Sequence, residues 1–152
     1  MNVSNDTNFD IKAIAQNCGL FGGMDDNLVI SNIDNLKTLY QSSQLVEIYN
    51  YMLSVATEPD VIMHIIRNLD VYRDPSSLEY LVDVLLLKNA NCSDSETKEK
   101  YNNVRVMCAK AIANQKNTDV VSSLLYCMNN KNENSVKREY SDQEIKKILS
   151  ED

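Results

Sequence analysis

An all-α chain is the fold class this sequence predicts, and three observations carry that expectation. Apolar residues recur at three- and four-residue spacing almost from end to end, the period of a helix with one buried face. The 152 residues hold only three Gly and two Pro, too few for the turns of a β sandwich or barrel. Both Pro follow a polar residue suited to a helix start, in Thr57-Glu58-Pro59 and Asp74-Pro75. The length predicts one compact domain or one short repeat array, long enough to fold without metal or disulfide.

Each element follows in order. Ile11, Ile14 and Ala15 predict a short helix from Asp10 to Cys18, stopped by Gly19, and Leu20 to Asp26 reads as a partly apolar Gly loop. Ile33, Leu36, Leu39 and Tyr40 predict a helix over Ser31–Gln41, and Ile48, Tyr49, Met52 and Val55 one over Leu45–Ala56. The two Pro open helices at Pro59–Tyr72 and Pro75–Leu87. After a polar loop, Ser93-x-x-Glu96 has the form of a capping box for a long helix ending near Asn114. Asn117-Thr118-Asp119 starts the next, which ends near Asn129, where an Asn-rich loop to Asn134 begins. Ser141-x-x-Glu144 is read as a second capping box, opening a last helix through Ile145, Ile148 and Leu149. The total is about eight or nine helices.

Charge is unevenly spread. Residues 1–96 carry five basic and fourteen acidic side chains, net −9, whereas residues 97–147 carry ten basic and six acidic, net +4. An acidic chain repels a phosphate backbone, so a nucleic-acid partner is not expected. The longest apolar run, Val84 to Leu87, is too short to span a membrane. Cys18, Cys92, Cys108 and Cys127 have no metal-binding spacing with the single His64, and Cys108 and Cys127 are expected on apolar helix faces. A polar start and unclustered thiols predict a reducing, cytoplasmic setting. The sequons at Asn2, Asn5 and Asn91 are then chance occurrences.

The helices repeat. A shift of 43 residues carries Val61 onto Val104, Arg67 onto Lys110, Leu69 onto Ile112 and Leu78 onto Val121. Leu81 and Val82 fall on Leu124 and Leu125, Leu85 on Met128, and Lys88-Asn89 on Lys131-Asn132. A period of this length built from helix pairs marks stacked arrays, in which one pair cannot bury its apolar face alone.

Val104-Arg105, Cys108-Ala109, Ala111-Ile112, Val121 and Leu124-Leu125 carry a resemblance. With Val136-Lys137 eleven residues on, they look like a HEAT-type repeat, similar to the short HEAT-like repeats first associated with phycobilisome lyases. That unit has a Val-Arg pair opening an Ala-rich helix, then a turn, then a helix with a Leu-Leu pair. The segment Val61–Leu85 matches more weakly, with Ile62 in place of the Arg, and no Gly stands near the turn. The resemblance covers roughly residues 45–140. It implies a short α-solenoid of stacked antiparallel helix pairs, with residues 1–43 as N-terminal helices and Gly loop, and residues 141–152 as a capping helix. It also implies a non-enzymatic protein-binding adaptor or scaffold, of a complex, a secretion system or a toxin–immunity pair. The lyase branch implies the alternative, an accessory subunit handling a tetrapyrrole. Arg105 and Lys137 are implied to tie neighbouring repeats together through carboxylates or backbone carbonyls.

Candidate site residues follow from these expectations. Arg67, Arg73 and Lys110, with Tyr72, are expected on the second helix of each pair, lining a concave face that meets a partner protein. Leu20 and Phe21 are expected either to tuck into the core or to anchor a partner. Cys18 beside the Gly loop is read first as a helix end and second as a reactive thiol. His64 is read as a packed or half-exposed side chain sharing a helix face with Asp60. The eight Tyr, among them Tyr51 and Tyr80 off the main apolar stripes, are too many for the core alone. No catalytic, cofactor or metal set is expected.

Overall fold

The computed structural model describes residues 9–86, 95–129 and 139–151, with no side-chain detail for residues 139–142. Cys92, the Ser93 end of the first capping box, the loop after Asn129 and Val136-Lys137 lie outside the described residues. So do Lys88-Asn89 and Lys131-Asn132 of the repeat, and the sequons at Asn2, Asn5 and Asn91. Among the described residues the regular structure is entirely helical: α1 (Ile11–Asn17), α2 (Asp26–Asn35), α3 (Ser42–Val55), α4 (Pro59–Tyr72), α5 (Leu78–Leu85), α6 (Ser95–Asn114), α7 (Thr118–Asn129) and α8 (Glu139–Ser150). Short 3₁₀ turns at Leu36–Thr38 and Pro75–Ser77 follow α2 and precede α5.

The starts of these helices have local causes. Asp10 accepts the Ala13 N–H at 3.2 Å, and Asp25 accepts the Asn27 N–H at 3.1 Å. That second cap starts α2 five residues before the expected Ser31, inside the stretch read as loop. Asp74 accepts the Ser76 N–H at 2.9 Å, and Asn117 accepts the Val120 N–H at 3.1 Å. Pro59 opens α4 as expected, but Pro75 opens a 3₁₀ turn before α5. Ser141 is no helix start: α8 already runs from Glu139, so the second capping box falls inside the helix.

One continuous apolar core runs from Ile14 in α1 to Leu149 in α8. Alternate helices follow one another along it. The succession α1, α3, α5 packs neighbour on neighbour, as does α2, α4, α6, α8, while α3 also meets α4, α5 meets α6, and α7 meets α8. Buried polar groups join these elements. Asn50 of α3 donates to Ser76 Oγ at 3.1 Å and accepts from Ser77 Oγ at 2.6 Å, pinning the turn ahead of α5. Arg105 of α6, 1% exposed, donates from Nε to the Leu85 carbonyl at the end of α5, 2.7 Å away.

The 43-residue register is visible in burial. Val61, Ile62, Ile65, Ile66, Asn68 and Leu69 are buried, as are their counterparts Val104, Arg105, Cys108, Ala109, Ala111 and Ile112. Leu81 and Leu85 match Leu124 and Met128 in the same way. The exposed Arg67 matches the exposed Lys110. The backbone agrees: Arg73 and Lys116, 43 apart, both end their helices with positive φ, 50° and 56°. One residue later, Asp74 and Asn117 both cap the next element.

Candidate protein-binding surface

Arg67 and Lys110 occupy corresponding places on α4 and α6, two helices that pack side by side. On α4 the buried residues Val61, Ile62, Ile65, Ile66, Asn68 and Leu69 take one side, which leaves Asp60, Arg67 and Val71 exposed opposite, with Met63 between them half-buried against the core. Polar links to neighbouring helices flank that outer strip. His64 Nε2 lies 2.6 Å from Asp34 Oδ1 of α2. Asp70 accepts from Asn114 of α6 at 3.1 Å, and Lys100 of α6 reaches Asp60 at 3.9 Å. His64 therefore pairs across to α2, while the expected Asp60 turns to α6. Between these links, neither Arg67 nor Lys110 makes an ion pair among the described residues.

Arg73, also exposed, sits at the end of α4, where its Nε donates to the Asp70 carbonyl at 3.3 Å and stands 3.8 Å from its carboxylate. Tyr72 is placed apart from Arg67. It is half-buried against the core, and its phenol is among the groups that, after burial, raise the Tyr49 hydroxyl. In the packed pairs α3–α4 and α5–α6, Arg67 and Lys110 stand on the later helix of each, whereas the sequence unit spans α6 and α7. Val71, 73% exposed beside Arg67, is an apolar group that periodicity did not single out. Its place at the last turn of α4, beyond the core contacts, was the available signal.

Leu20 and Phe21 differ in burial. Leu20 is half-buried against the core, and Phe21 is 50% exposed. The loop between is built by Gly19, whose φ of 93° lets its N–H reach the Gln16 carbonyl and the Leu20 N–H reach Ala15, closing α1. Asn32 of α2 donates to the Cys18 carbonyl at 3.2 Å and holds the loop from the far side. Cys18 is buried, and burial raises its thiol above the usual range, which disfavours the thiolate a reactive cysteine needs. Cys108 is buried as expected. Cys127 is exposed instead, at the edge of a cleft between α5 and α7 with Val82 and Leu124, because its position on α7 faces away from α8 and the core.

The tyrosines lie mostly along helix seams. Tyr49 is fully buried, Tyr51 and Tyr80 are half-buried, and Tyr101 donates to the Thr57 carbonyl. Tyr126, 70% exposed, is the large exception. Among the described residues, no group of three or more His, Cys, Asp or Glu could hold a metal ion, and no helix is long and apolar enough to cross a membrane. Comparison with protein-family models, curated proteins and solved structures finds no match to this chain.

Proposed function

We propose that this chain is a non-enzymatic interaction module, a short α-solenoid of HEAT-like helix pairs that binds another protein as an adaptor or scaffold subunit. The observation that carries the reading is the pair Arg67 and Lys110, exposed and without an ion pair among the described residues, at repeat-equivalent places on adjacent helices. A repeated surface on stacked helices offers a partner the same chemical feature at regular spacing. The alternating contacts among helices and the shared burial pattern support the solenoid reading.

The mechanism is docking of a preformed surface. Arg67 and Lys110 supply positive charge, Met63 and Val71 supply apolar contact beside Arg67, and the links from His64, Asp60 and Asp70 hold α4 to its neighbours. Exposed charges of this kind act on association rate and partner choice more than on folding.

The test is a pull-down from the host lysate with the native chain and with Arg67→Glu/Lys110→Glu. Both cations are exposed, so the double variant keeps its stability to within about 1 kcal/mol, about 0.5 for each substitution, checked by circular dichroism. A stoichiometric partner held by the native chain and lost by the folded variant is the expected result. Equal retention by both, or none by either, rejects this surface.

A further inference from the structure

Three large apolar side chains stand in water within one short stretch: Phe21 and Leu28 at 50% exposed and Met24 at 40%. Phe21 and Met24 are held there by a defined loop, and Leu28 by the first turn of α2. Gly19, Gly22 and Gly23 all have positive φ, between 88° and 117°, and Gly22 donates to the Gly19 carbonyl at 3.2 Å. At Gly22 and Gly23 a side chain would meet nothing within 4 Å, so the glycines serve the backbone path alone.

Beside this loop lies a cleft of about 350 Å3. Its apolar lining includes Phe21, Met24, Val29, Val55 and Val61, drawn from the loop and from α2, α3 and α4. Among the described residues, the charged ones in the lining are Asp26 and Glu58, both acidic, with no cation beside them. Asp25 adds a third carboxylate next door. The starts of α2 and α4 each bring about half a positive charge and the end of α3 about half a negative one, so the carboxylates dominate. The apolar surface also extends beyond the cleft, since Leu28 does not line it. That extent suits a peptide segment better than a small amine.

We infer that this cleft docks an amphipathic basic segment of a partner protein, with a bulky apolar side chain in the cleft and Lys or Arg against Asp25, Asp26 and Glu58. The inference rests on the reading of the chain as a protein-binding module, and it places a second surface on it of opposite charge to the Arg67–Lys110 face. A partner spanning both would present acidic residues to one and basic residues to the other.

The experiment is selection of a phage-displayed random peptide library on the full chain, followed by fluorescence anisotropy with the recovered peptides. Peptides combining Lys or Arg with a bulky apolar residue are expected. Phe21→Ser and, separately, Asp26→Asn/Glu58→Gln should each weaken them by about tenfold or more, because partly buried charge pairs and apolar anchors dominate such contacts. Circular dichroism confirms that both variants fold. Arg67→Glu/Lys110→Glu should leave the peptides bound. Recovery of acidic peptides or of none, or equal binding by the Phe21 variant, overturns the inference. Self-association abolished by Phe21→Ser, seen by sedimentation, also overturns it and assigns the patch to a second copy. Loss of the lysate partner with Arg67→Glu/Lys110→Glu while the cleft test fails leaves the module standing without this site. Failure of both tests removes the module reading as well.

Discussion

Arg105 is the residue whose replacement tests most about how this fold is held. It is 1% exposed, and its Nε donates at 2.7 Å to Leu85, the last residue of α5. That carbonyl is among those a helix leaves open at its C-terminus, so the bond ties α6 to the end of α5. A hydrogen bond from a charged donor contributes about 1.5–3 kcal/mol. Burying the guanidinium costs several kcal/mol before its partners are counted. Arg105→Ile removes both contributions, and the repeat-equivalent position in α4 is already an aliphatic buried residue, Ile62. The Leu85 carbonyl is left buried without this donor, so the expected cost is about 1–3 kcal/mol. Arg105→Lys keeps a charge in the dry site but loses the planar donor group, and should cost about 3–5 kcal/mol. Urea titration followed by far-UV circular dichroism measures both, with the slope checked for an unchanged unfolding transition. The reasoning is refuted if Arg105→Lys is as stable as Arg105→Ile, since charge alone would then satisfy the site.

Gly19→Ala should destabilise the chain by at least about 1 kcal/mol. Its φ is 93° and the new Cβ would stand 2.5 Å from Met24 Sδ and 3.0 Å from Met24 Cβ; a thermal melt of Gly19→Ala/Met24→Ala should recover part of the steric cost and none of the backbone strain. Lys116→Gly should stabilise by about 0.5–1 kcal/mol by relieving a positive φ, and Arg73→Gly by less, because Arg73 also bonds to Asp70. No gain in urea midpoint for Lys116→Gly would count against strain at either site. The Ser76 N–H holds the Asp74 carboxyl below the usual carboxylate range. Its contribution is thus complete above the unfolded value of about 3.9 and is lost as pH falls through the lower folded value. Asp74→Asn should retain the cap, as Asn117 does at the equivalent place, while losing less stability on acidification. Parallel stability curves for the two chains from about pH 6 to about pH 2 would contradict this.

Much of the helical order was legible because its causes lie within a few residues. The start of α4 at Pro59, the Asn117 cap of α7 and the 43-residue register all needed only local periodicity and polar punctuation. The misses have the same kind of cause. Asp25 outranked the later Ser31 as the start of α2 because its carboxylate bonds the Asn27 N–H, and Ser141 mimicked a cap inside a helix that had already begun. The candidate surface was legible in part. Arg67 and Lys110 are exposed and equivalent as the repeat implies, while Tyr72 turned toward Tyr49.

Sequence by itself determined the helical class, the starts of α1, α4 and α7 and the repeating burial of α4 and α6, since each depends on side-chain spacing along one segment. Tertiary structure decided which helices became neighbours. That choice gave His64 to Asp34 rather than Asp60, and Arg105 to Leu85. It also left Cys127 in solvent and gathered Val55, Glu58 and Val61 beside the Gly loop. A residue's helical phase is set within its own turn, but its partners and its exposure are set by the chain that arrives from far away in sequence.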